Sequence, residues 1–321
     1  MGQFIKNILL FSIFLVGVYM SSLLVIKFTG TKYITPNIIS TQGSSGNNLE
    51  RFNEIDNYSD VDYLFLGSSH AYRGFDPRTF KKHGYTSFNL GSSSQPPYNS
   101  YYLLKQYLHK LQPKTILIEV YWGGLIAEKD AIETTVDIVS NKSLSLTDVE
   151  MTALQHHPIA INTLCYSWVS NFITPLSKVE QDKNGYDTYV AGGFVERTDT
   201  TGIKSKMAKI SGSTDIEYNS FQMGYLAKIA QLCNDNGIRL ILVRTPVTVE
   251  KINTVKNFDE LNQELIQFSK IHNTQYLDFC TEEAFNTIGL VTVEDFYDGH
   301  HMNQSGIEKF NDFLIVKLKS L

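Results

Sequence analysis

The sequence predicts an α/β fold: a doubly wound, mainly parallel five-stranded sheet behind one N-terminal transmembrane helix. Three observations carry that expectation. Short apolar runs alternate with amphipathic stretches of helical period through most of the 321 residues. The runs are too short for helices and end at glycine or polar turn residues. The first thirty residues hold an uncharged stretch long enough to cross a bilayer. Strand and helix alternating in this way imply βαβ units with right-handed crossovers.

Taken in order, Ile8 to Ile26 contains no charge and is flanked by Lys6 and Lys27. About 20 apolar residues make a spanning helix. The region around Tyr19 to Leu23 offers no small-residue cleavage pattern, so residues 1–28 read as a retained anchor rather than a cleaved signal peptide. Lys6 favours a cytoplasmic N-terminus, while Lys27 and Lys32 reduce the bias. The short N-terminal tail makes a single-pass protein with an extracytoplasmic domain the expectation. Residues 29–48, rich in Thr, Ser, Gly and Asn, read as a linker. Residues 49–321 are ample for one domain with its own core.

Within that domain the expected strands are Tyr63 to Leu66, Ser87 to Leu90, Thr115 to Val120, Arg239 to Val243 and Gln275 to Phe279. Helical periodicity is read at Tyr98 to Leu111, Phe221 to Leu232, Phe258 to Ile271 and Ile307 to Leu318. Gly84 and Asn236-Gly237 sit where helices stop and strands begin. Residues 124–213 break the rhythm and read as an insertion between the third and fourth strands, with one helix from Leu146 through Phe172.

Composition excludes several classes. A net charge of −5 with no basic stripe argues against a nucleic-acid partner. The three cysteines, Cys165, Cys233 and Cys280, are odd in number and have apolar neighbours, which suits buried free thiols rather than a disulfide framework. No zinc-type spacing is present, so neither a metal nor another cofactor is expected.

The chemistry concentrates in two distant segments, Gly67-Ser68-Ser69-His70 and Asp298-Gly299-His300-His301. The first follows the first strand, where a tight turn presents a hydroxyl at the carboxyl end of an open α/β sheet, the place where such sheets hold ligands. The second sets an acid three residues before a histidine. A serine hydroxyl needs a base within reach, and the base needs a third group to fix its tautomer and stabilise the imidazolium. Ser69, His301 and Asp298 supply those residue types.

These segments resemble the first and last sequence blocks of the SGNH (GDSL-type) esterase and acyltransferase superfamily, over roughly Tyr63 to Leu318. Gly67-Ser68-Ser69 in place of Gly-Asp-Ser is more similar to the membrane-anchored type that assists D-alanine transfer onto teichoic acids. The resemblance implies Ser69 as nucleophile, His301 as base and Asp298 as its orienting acid, with the backbone N–H groups of Ser69 and Gly91 forming an oxyanion hole. It also implies an ester or acyl substrate on an extracytoplasmic glycan or envelope polymer, and an integral membrane protein as acyl donor. One departure stands out. The third strand ends Glu119-Val120-Tyr121-Trp122, where the family carries an asparagine as third oxyanion donor.

Further candidates for substrate contact are His70 and Arg73 beside the nucleophile, the aromatic pair Tyr121 and Trp122, and Arg244 at the end of the fourth strand. Each has an ordinary alternative as a packing or turn residue. Two other functions stay open: a catalytically inactive binding or assembly module, motivated by the missing asparagine, and a metal-assisted hydrolase using His70, Asp298, His300 and His301.

Overall fold

The computed structural model describes residues 1–29, 37–44, 46–180, 185–199 and 203–321. Residues 30–36 and 45 of the expected linker, and 181–184 and 200–202 of the insertion, lie outside the described residues.

Among the described residues seven strands are formed: β1 (Tyr63–Leu66), β2 (Ser87–Asn89), β3 (Thr115–Glu119), β4 (Asp187–Val190), β5 (Phe194–Arg197), β6 (Arg239–Arg244) and β7 (Gln275–Asp278). Five of them make one parallel sheet in the order β2-β1-β3-β6-β7. The order reverses direction between β1 and β3, and an open sheet presents its crevice beyond the strand ends at such a point. Ser69 follows β1 there.

Alternation along each strand fills both faces. Leu64, Leu66, Ile116, Ile118, Leu240 and Leu242 face the helices Pro97–Leu111 and Ser220–Asp235. Phe65, Leu117, Ile241 and Val243 face Phe75, Phe80 and the last helix, Gln304–Lys319, through Phe310 and Leu314. A sheet covered on both sides needs continuous apolar runs rather than in-out patterning. That is why these strands were visible as short uncharged blocks.

The insertion differs from the expectation in two ways. The single helix expected from Leu146 through Phe172 is two, Leu146–Gln155 and Pro158–Ile173. His156 takes a left-handed conformation (φ 55°), and Pro158 cannot donate the next helical hydrogen bond, so the chain turns and restarts. An antiparallel hairpin, β4–β5, is also present. It reaches back to the main domain: the Asn89 N–H donates to Gly192 O, and buried Arg51 donates to Gly193 O.

The N-terminal helix, Gly2–Thr29, includes a 25-residue stretch, Gly2–Ile26, long and apolar enough to cross a membrane. The described part of the linker is packed rather than loose. Ile38 is buried, the Gly43 N–H donates to Asn141 Oδ1, and Gln42 Nε2 donates to Asn171 Oδ1. Cys165, Cys233 and Cys280 are free thiols, the last two buried.

Candidate active site

β1 delivers the site. Gly67 breaks the strand with φ of 129°, and a Cβ there would lie 2.8 Å from Glu119 Cβ, so only glycine lets the chain turn this close to β3. A short helix, Ser69–Tyr72, begins at once, with Ser68 as its N-cap. Ser69 is thereby the first helical residue and stands over the sheet edge. Among the described residues, no hydrogen-bond partner is formed by its backbone N–H.

Ser69 Oγ lies 2.7 Å from His301 Nε2. On the other side of the ring, His301 Nδ1 is 3.0 Å and 3.2 Å from the two Asp298 oxygens. Because an ionised carboxylate only accepts, Nδ1 carries the proton and Nε2 is left to accept from the serine. Asp298 Oδ1 also accepts the backbone N–H groups of His300 and His301, at 2.9 and 2.8 Å. Burial opposes its charge, but the His301 hydrogen bond and the neighbouring histidines outweigh that, holding the carboxyl below the ordinary carboxylate range. The Tyr297 ring lies parallel to His301, with centroids 5.4 Å apart. Asn303 caps the last helix just beyond, accepting from the Gly306 N–H.

A second hydrogen-bonded chain runs behind the first. Glu119 Oε2 is 2.8 Å from Ser68 Oγ, which is 3.1 Å from His70 Nδ1, and His70 Nε2 is 3.4 Å from His300 Nδ1. Glu119 also accepts the Tyr121 N–H. Burial raises its pKa from an ordinary 4.5 to about 7, and the bonds from Ser68 and Tyr121 only partly offset that. The proton on Glu119 sets the direction of the whole chain. With the carboxylate ionised, Ser68 donates to Glu119, His70 Nδ1–H donates to Ser68, and His300 Nδ1–H donates to His70. With it protonated, each bond reverses and both imidazoles change tautomer. Burial keeps His70 neutral and lowers His300 to about 3, with the charge of His301 adding to the effect.

The other expected site residues are placed as follows. The Gly91 N–H donates to Asn89 Oδ1 at 2.9 Å and does not face the nucleophile as a free donor. Asn89 is held in that orientation because its amide NH2 donates to Ala71 O and Phe75 O. Arg73 lines the cleft but is engaged, donating two bonds to Asp187 of β4 at 2.9 and 2.8 Å. Tyr121 stacks on His70 at 4.0 Å and lies behind the reacting groups. Trp122 is buried against Tyr121 and Phe258. Arg244 is 1 % exposed, bonds Tyr218 and Asp278, and sits over the Phe258 ring, away from Ser69.

Sequence reasoning overlooked Ser68, Glu119, Arg197, Lys206 and Tyr297. The signal for Glu119 was an acid closing the run Thr115-Ile-Leu-Ile. Arg197, Lys206 and Tyr297 line an open cleft of about 560 Å³ around Ser69 together with Ser93 and Ser94. Arg197 lies over the Tyr297 ring at 4.4 Å, and Lys206 Nζ donates to Tyr297 O.

His70, His300 and His301 bring ring nitrogens within 4.8 Å of one another, a set of metal-ligating type. As placed, these nitrogens are engaged with other groups: His301 Nε2 faces Ser69, and His70 Nε2 lies 3.4 Å from His300 Nδ1.

No protein-family model matches the chain, and no curated protein is a detectable relative. Among solved structures it is similar to a GDSL-like lipase from Bacteroides thetaiotaomicron, at 12% identity and a TM-score of 0.41, covering 86% of this chain and 98% of that one. It is also similar to a candidate acylhydrolase from Bacteroides fragilis, at 12% identity and a TM-score of 0.42, covering 87% and 97%.

Proposed function

We propose that this chain is a membrane-tethered serine esterase or O-acyltransferase of the SGNH type, working through an acyl-Ser69 intermediate on an extracytoplasmic glycan or envelope polymer. The observation that carries the reading is the relay Ser69 Oγ to His301 Nε2, with His301 Nδ1 on the Asp298 carboxylate. Ser69 Oγ attacks the ester carbonyl carbon as its proton moves to His301 Nε2. The C–O bond to the leaving alcohol then breaks, and His301 returns that proton to the leaving oxygen. In the second half, a sugar hydroxyl or water attacks acyl-Ser69 and gives its proton to His301. Release of the acyl group restores the Ser69 hydroxyl. Asp298 stabilises the imidazolium each time it forms.

Charge developing on the carbonyl oxygen falls to the Ser69 N–H and to the loop carrying Ser93, which borders the same cleft. A single-pass anchor suits a polymer made at the membrane, and an integral membrane protein would supply the acyl group. A second reading, an inactive SGNH-like binding or assembly module, is favoured by the lack of an asparagine donor in Glu119-Val120-Tyr121-Trp122 at the end of β3 and by the engagement of the Gly91 N–H.

The test is labelling of the detergent-solubilised full chain with a fluorophosphonate. Labelling of wild type and its loss in Ser69→Ala supports the enzyme. A folded wild type that stays unlabelled, beside a control serine hydrolase that reacts, supports the binding module.

A further inference from the structure

The helix Pro158–Ile173 contains no charged residue among its sixteen, although it lies at the surface. Ile161, Trp168 and Phe172, at steps of seven and four, are 40, 61 and 88 % exposed. Those steps put the three on one face. A surface helix facing water normally sets charges opposite its buried stripe; this one presents an indole and a phenyl ring.

The same helix packs against the N-terminal helix. Tyr19 Oη donates to Asn162 Oδ1 at 3.0 Å, and Leu23 and Ile26 are buried in one cluster with Tyr166 and Val169. Tyr19 lies seven residues inside the end of the apolar stretch Gly2–Ile26, about 10 Å along the axis at 1.5 Å per residue. The contact therefore sits beside a part of the N-terminal helix that belongs at the edge of the hydrocarbon when that helix crosses a bilayer. Tryptophan concentrates at that depth because its ring is apolar and its N–H stays within reach of headgroups.

We propose that Pro158–Ile173 is a membrane-surface helix: Ile161, Trp168 and Phe172 insert into the headgroup and acyl boundary of the leaflet from which the N-terminal helix emerges. The occupant of the face is lipid. The inference rests on the membrane-spanning reading of the N-terminal helix and is independent of the chemistry at Ser69.

The chain has two tryptophans, and Trp122 is buried in the domain, so Trp168 can be read by fluorescence. Full-length protein would be reconstituted into phosphatidylcholine vesicles with or without bromines on the acyl chains, and flotation would establish insertion. Bromolipid is expected to quench Trp168 emission, since the indole sits at the headgroup level, while aqueous iodide leaves it unchanged. Trp168→Phe should abolish the bromolipid effect and Trp122→Phe should retain it. If Trp122→Phe does not fold, the difference between wild type and Trp168→Phe gives the same reading. Iodide quenching without bromolipid quenching, in protein that floats with the vesicles, overturns the proposal. So does iodide quenching relieved only by a second membrane protein, which would assign the face to a protein partner. Failure to float overturns the spanning helix on which the proposal rests.

Discussion

The His70 and His301 rings lie face to face, with centroids 4.7 Å apart and planes 23° from parallel. His70 is 4 % exposed and fixed from behind by Ser68 and by the Tyr121 ring, so it forms a rigid backing for the imidazole that meets Ser69. His70→Ala would leave His301 free to tilt, and misplacing a reacting group by about 1 Å costs on the order of 100-fold. The rate constant for fluorophosphonate labelling checks this. His70→Phe keeps the stack but severs the chain to Glu119, and should retain most of the rate while changing its pH profile.

Asp298→Asn tests the relay from its other end. An amide can donate to His301 Nδ1, which places the imidazole proton on Nε2, facing Ser69. Labelling should fall by about 10⁴-fold with the thermal transition little changed.

Glu119 predicts a pH dependence of stability. Its folded pKa is about 7 against an ordinary 4.5, so the folded chain holds a proton that the unfolded chain releases between those values. Stability from this group is present in full below about 4.5 and declines as pH rises toward 7, by roughly 3 kcal/mol at most. Glu119→Gln should flatten the slope of denaturation free energy against pH in that interval.

Gly67→Ala forces a side chain into a backbone conformation that L residues rarely adopt and against Glu119 Cβ. A loss of about 3 kcal/mol in chemical denaturation is expected, together with slower labelling, because the same turn carries Ser69.

The Arg73–Asp187 pair ties the turn after the nucleophile to the β4–β5 hairpin, with side chains only 10 and 5 % exposed. Burial opposes the Asp187 charge, but Arg73 overcomes this and lowers its pKa. The stability this contributes is therefore present above the ordinary carboxylate range and lost as pH falls through the depressed value. Arg73→Ala should cost about 3 kcal/mol near neutral pH and progressively less on acidification, as followed by denaturant midpoints at several pH values.

The parallel sheet was legible because strands buried on both faces are short apolar blocks, and their ends were read to within about one residue at each strand. The hairpin β4–β5 was not, although Ala191-Gly192-Gly193 between Asp187-Thr-Tyr-Val and Phe194-Val-Glu-Arg is a recognisable three-residue, glycine-bearing turn signal. Its strands are mostly half-buried and carry Asp187, Glu196 and Arg197, so no uncharged block announces them. In the site, Ser69, Asp298 and His301 could be named from local motifs. Glu119 and Ser68 could not, since their meeting depends on β1 and β3 being neighbours, with Leu66 opposite Ile118. The engagement of Gly91 depends on the side-chain orientation of Asn89, which no spacing reveals. Arg73 and Arg244 stood at plausible positions by strand-end logic, yet each met a carboxylate brought in by the fold.

Ser69 and His301 are 232 positions apart. A nascent polypeptide therefore carries an inert alcohol from early in synthesis, and that alcohol gains its basic partner only after the chain has grown by those 232 residues. Any reactivity at Ser69 would thus switch on late, when nearly the whole polypeptide exists and its last helix has docked beside its first strand.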